Sequence, residues 1–66
     1  MGIEKSIKKA RFELRLTQAD LSVTLSCSRD SVINWESGKT EPGFKVIRKL
    51  AALLKIKPSK LVSWGE

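Results

Sequence analysis

The stretch SRDSVINWESGK, Ser28 to Lys39, decides how this chain is read. It sets a Trp directly before a Glu and scatters Arg29, Asp30 and Asn34 around a lone Ile33. On a helical wheel of about 100° per residue, Ser31, Val32 and Trp35 fall within about 100° of one another and form the side that would be buried. Arg29, Asp30, Ile33, Asn34 and Ser37 fan across the opposite side. Core packing accounts for Val32 and Trp35 and leaves that outer set unexplained, with ordinary solvent exposure as the bland alternative. Ser28 reads as the N-cap of a helix running from Arg29 to Glu36, and Gly38 suits a left-handed residue at its end.

Outward from there the period stays helical. Ile3, Ile7, Ala10 and Leu14 make the apolar stripe of a helix over 3–14, with Phe12 to one side and Lys5, Lys8, Lys9, Glu13 and Arg15 on the other face. Thr17 is an N-cap for a helix over 18–25, and Asp20 stands near the acidic capping-box position. Ala19, Leu21, Ser22 and Leu25 are its inner residues. Ser26-Cys27-Ser28 is too short for anything but a tight turn. A loop, SGKTEPG (37–43), leads to a helix over 43–55 with Pro42 suited to its first turn and Phe44, Ile47, Leu50, Ala51 and Leu54 inward. Pro58 stands near the start of a short fifth helix over 58–62. No segment alternates with period 2 over more than a few residues, so the fold class is all-α, one domain over 1–66.

Sixty-six residues bury only about 60% of the unfolded surface, which makes stability marginal. A lone cysteine, Cys27, rules out an internal disulfide framework, and with no histidine there is no visible metal-ligand cluster. The longest apolar run is Ala51-Ala52-Leu53-Leu54, far short of a membrane span, and no signal-peptide pattern opens the sequence. A cytoplasmic setting is expected. Thirteen basic against seven acidic residues give +6 at pH 7, which fits a polyanionic partner, nucleic acid or an anionic membrane surface, with plain solubility as the bland alternative. No activated nucleophile, phosphate-binding glycine loop or paired carboxylates point to an enzyme, and no cofactor or small-molecule ligand is expected.

Two short helices joined by a tight turn have helix-turn-helix geometry, whose second helix fits the DNA major groove. Arg can pair with guanine in bidentate fashion, Asn with adenine, and an apolar group can meet the thymine methyl, which gives Ile33 a role that solvent does not. Asp30 would be repelled by phosphates, so it reads cytosine, orients Arg29, or rejects wrong bases.

With these residues in view, the chain resembles the Cro/repressor-type, or XRE, helix-turn-helix family over about 3–62. The resemblance rests on LTQADLS (16–22), SRDSVINWESGKTEP (28–42) and IRKLAALLKIKPSKLV (47–62). The middle block is the most specific, with Val32, Trp35-Glu36, Gly38-Lys39 and Pro42 at family spacing. It implies a five-helix lambda-repressor-like DNA-binding domain and a transcription regulator that binds double-stranded DNA as a homodimer on a pseudo-palindrome. It further implies base reading by Arg29, Asp30, Ile33 and Asn34. Backbone contacts would come from Gln18, Ser28, Ser31, Ser37, Lys39 and Thr40, and an Arg11–Glu36 pair would tie the first helix to the third. The family dimerises around its fifth helix, which places Ile56, Leu61, Val62 and Trp64 near the two-fold; alternatively, Trp64 folds back onto the core. Three positions depart from the family: Arg15 and Ser26 stand where glycine is usual, and Ser22 where alanine is. Cys27 occupies a small apolar position, with redox sensing as its other reading. Lys45, Arg48, Lys49, Lys55, Lys57 and Lys60 are mostly a solvated face. An antitoxin-like or adaptor interaction module on the same fold is the second class of function.

Overall fold

The helix starts follow from local chemistry. Thr17 and Asp20 form a reciprocal capping box: the Thr17 hydroxyl accepts from the Asp20 N–H at 3.0 Å, and the Asp20 carboxylate accepts from the Thr17 N–H at 3.1 Å. The Ser28 hydroxyl accepts from the Ser31 N–H at 3.2 Å. Pro58, whose ring presets the helical φ and whose missing N–H would be unpaired there anyway, opens the last helix. The computed structural model describes residues 3–64 as five helices: α1 (Ile3–Glu13), α2 (Gln18–Leu25), α3 (Arg29–Ser37), α4 (Phe44–Leu54) and α5 (Pro58–Val62).

Four helix ends share one device. Arg15, Ser26, Gly38 and Lys55 all adopt positive φ, between 56° and 80°. In each case the next N–H returns five residues: Leu16 to Arg11, Cys27 to Ser22, Lys39 to Asn34 and Ile56 to Ala51, at 2.9–3.1 Å. This closing bond satisfies carbonyls that the helix end would otherwise orphan. Three of the four residues at the turn are not glycine, and each left-handed side chain costs roughly 1–2 kcal/mol. An apolar contact offsets part of that cost, because Leu16, Cys27 and Ile56 all pack against the core directly after their turns.

The core is drawn from every helix: Ile3, Ile7 and Ala10, then Leu21 and Leu25, Val32 and Trp35, Leu50 and Ala51, and Leu61. The third helix packs against both α1 and α2, while α5 closes over α1 and α4. The third helix is thereby held along its inner side, with its outer side left exposed.

Several inward positions differ from the sequence reading. Ala19 is exposed, since Leu21, Ser22 and Leu25 already fill the inner side of α2. Phe44 is 66% exposed, its ring beside the Arg48 guanidinium at 5.8 Å, because the first turn of α4 projects beyond the core. Pro42 is buried but precedes α4, whose N-cap is Gly43. Ser31 is only half-buried, its hydroxyl engaged with that of Ser28. Leu61 is the clearest correction: expected at a dimer contact, it is 0% exposed and part of the core, so it offers no surface to a partner.

The hydrogen bonds from Thr17, backbone first and then hydroxyl, hold the Asp20 carboxyl below its usual value. A depressed folded value means that its stabilisation is fully present above about pH 3.9 and disappears as pH falls through the lower folded value. Urea unfolding of the unaltered chain and of Asp20→Asn should therefore differ at pH 6, with the difference shrinking below pH ~4. A gap that stays constant down to pH ~2 would remove Asp20 from the cap.

Candidate nucleic-acid interface

The outer side of α3 carries Arg29, Asp30 and Ile33 exposed, with Asn34 half-buried beside them. Ile33 is 36% exposed, an apolar side chain held in water by the rigidity of the helix beneath it. Among the described residues neither Arg29 nor Asp30 has an ion pair, so Asp30 does not orient Arg29 within the chain. The four proposed base-reading residues thus lie together on one surface, their polar groups not committed elsewhere by their side chains.

The expected backbone-contact residues divide. Lys39 and Thr40 are exposed on the loop after α3. That loop is knotted to α3 at one atom: the Asn34 carbonyl accepts from the Lys39 N–H at 3.0 Å, the Thr40 N–H at 3.4 Å and the Ser37 hydroxyl at 3.1 Å. Ser28 and Ser31 use their hydroxyls on each other and on the helix start. Gln18 stands at the first position of α2, but its amide donates to Glu36 at 3.2 Å, a bond that the sequence reading did not foresee.

That bond belongs to a network beneath the interface. The Arg11 guanidinium grips Glu36 in bidentate fashion, at 2.6 Å from Nε and 3.1 Å from Nη2, and donates from Nη1 to the Leu16 carbonyl at 3.2 Å. Their side chains are 13% and 3% exposed. One carboxylate thus joins the end of α1, the start of α2 and the end of α3 through three hydrogen bonds, two of them from the Arg11 guanidinium. Among the described residues, no buried side-chain nitrogen or oxygen lacks a partner.

Cys27 is half-buried, and burial pushes its thiol up, with Lys49 pulling part-way back. A thiol placed so is a poor nucleophile, which favours packing over redox sensing. At the other end of the molecule, Trp64 is half-buried against the core, with the Lys9 ammonium 4.4 Å from its ring and also donating to the Trp64 carbonyl at 3.1 Å. The fold-back reading of Trp64 therefore matches its position in a single chain. Val62 remains 51% exposed. No group of three or more possible metal ligands occurs among the described residues, and none of their helices is long and apolar enough to cross a membrane.

A family model described as helix-turn-helix matches residues 7–61. The chain belongs to the helix-turn-helix family. Its α2, turn and α3 are the motif that names the family, and the Cro/repressor type fits its five-helix order. Among solved structures, this helix-turn-helix chain is similar to the crystal structure of the P22 c2 repressor protein in complex with synthetic operator 9T. That match has a TM-score of 0.81 and 26% sequence identity, covering 100% of this chain and 98% of the other. No curated protein matches the chain.

Removing one member of the Arg11–Glu36 pair leaves the other charge largely buried, which costs about 3 kcal/mol. Arg11→Met and Glu36→Leu should each lose about that much in urea unfolding, and the double variant clearly less than their sum. Strict additivity would show the pair to be uncoupled.

Proposed function

We propose that this chain is a transcription regulator that binds double-stranded DNA in a sequence-specific manner as a homodimer on a pseudo-palindromic operator. The observation that carries the reading is the outer side of α3: four side chains suited to base edges on a helix whose inner side is fully engaged. Membership of the helix-turn-helix family and the likeness to a repressor crystallised with its operator support it.

In this reading α3 enters the major groove. Arg29 takes guanine O6 and N7, Asn34 takes adenine N6 and N7, Asp30 accepts from cytosine N4, and Ile33 covers a thymine methyl. Lys39 and Thr40 meet phosphates from the loop, while Ser28, Ser31 and Ser37 contribute hydroxyls only by exchanging the internal hydrogen bonds described above. Gln18 contributes the backbone N–H at the start of α2, where the helix dipole favours a phosphate, while its side chain braces Glu36. The second protomer reads the matching half-site about 34 Å away. Val62 supplies the exposed apolar centre of the dimer contact, with Ile56 and Trp64 at its edge.

Selection from a random double-stranded pool should enrich a palindrome whose half-sites are centred about 10 base pairs apart, and binding should weaken steeply between about 50 and 200 mM salt. A single unrepeated half-site would remove the dimer; no enrichment at any salt would remove sequence-specific reading.

On the selected operator, Arg29→Ala should cost about 1–3 kcal/mol and relax preference at one base pair. A uniform loss across all sequences would reassign Arg29 to phosphate. Replacing the thymine opposite Ile33 by uracil should weaken binding, and an unchanged affinity would delete the methyl contact.

A further inference from the structure

Beside the α2–α3 unit lies an open groove of about 770 Å³, bounded by α1 on one side and by the starts of α2 and α3 on the other. Its lining includes Lys8, Arg11, Arg15 and Arg29, against a single carboxylate, Glu36. Arg11 already neutralises Glu36. Lys8, Arg15 and Arg29 therefore give the groove three cations without an ion pair among the described residues. Arg29 belongs to the base-reading side, but Lys8 and Arg15 lie on the far lip and extend the positive surface onto and just past α1.

Arg15 is the informative member. It holds φ at 57°, a conformation that glycine adopts without strain and that a side chain resists. The turn leaves the exposed Arg15 side chain at the mouth of the cationic groove. The occupant is set by charge: a continuous line of anions running past the reading helix, which a duplex flank supplies.

We propose that Arg15, with Lys8, forms a second phosphate-binding lip that holds the DNA backbone flanking each half-site, so that α1 and its end belong to the binding surface. This inference rests on the DNA-binding reading above. The lip acts on affinity and salt dependence, and it has no part in base choice, because phosphates carry no sequence information.

The test compares Arg15→Gly with Lys55→Gly. Both relieve the same left-handed strain and both remove one positive charge, but Lys55 ends α4, outside the groove. Each variant should melt a few degrees above the unaltered chain. On the selected operator at about 0.1 M salt, Arg15→Gly should bind about five- to tenfold more weakly per protomer, with a salt slope shallower by about 0.9 per protomer. Its base preference should be unchanged, and Lys55→Gly should bind within about twofold of the unaltered chain. If Arg15→Gly and Lys55→Gly bind alike with equal slopes, the lip is wrong while DNA binding stands. A changed base preference in Arg15→Gly would overturn the phosphate role by making Arg15 a reader. Absence of binding by the unaltered chain at every salt would overturn the DNA reading and the lip together.

Discussion

One carboxylate organises this molecule. Glu36 accepts two hydrogen bonds from Arg11 and one from Gln18, so the end of α1, the start of α2 and the end of α3 meet at a single residue. Burying a charge is costly unless it is paired and hydrogen-bonded, and Glu36 has both an ion pair and three hydrogen bonds. A chain of 66 residues has little core with which to set helix angles. A directional, bidentate contact sets them where apolar packing alone would tolerate sliding. For the proposed base readout, rigid placement of α3 matters because such contacts demand side chains held within a fraction of an ångström of their targets.

Much of this was legible in the sequence because local chemistry and hydrophobic period agree. Thr17 and Asp20, Ser28, and Pro58 mark helix starts by mechanism, and the boundaries of α2 and α5 match the expected ones. The ends were harder. Gly38 announces a left-handed turn, whereas Arg15, Ser26 and Lys55 adopt the same conformation without the residue that signals it. Only tertiary contacts of Leu16, Cys27 and Ile56 make those turns worthwhile, and such contacts have no single-residue signature.

The misread positions share a cause. Ala19, Phe44 and Leu61 were placed by periodicity or by family position, and both are blind to where the core stops. Phe44 keeps helical phase with the buried Ala51 yet lies past the edge of the packed region. Leu61 sits on a helix of five residues, too short to present one side to a partner without giving its best apolar residue to its own fold. At the candidate interface, residue types announced Arg29, Asp30, Ile33 and Asn34. The groove beside Lys8 and Arg15 became visible only when α1 was set against α2 and α3.

The knot at Asn34 has a consequence for how such a domain can change. The loop carrying Lys39 and Thr40 is tied to α3 through the Asn34 carbonyl, and the Asn34 side chain takes no part in those bonds. Every amino acid brings a carbonyl to that position. The side chain can be exchanged while the loop, and the clamp it offers, keeps its geometry. In the proposed DNA-reading role, preference would lie in the side chain of this one residue and the loop's geometry in its backbone, so a single substitution at Asn34 would alter the first and leave the second in place.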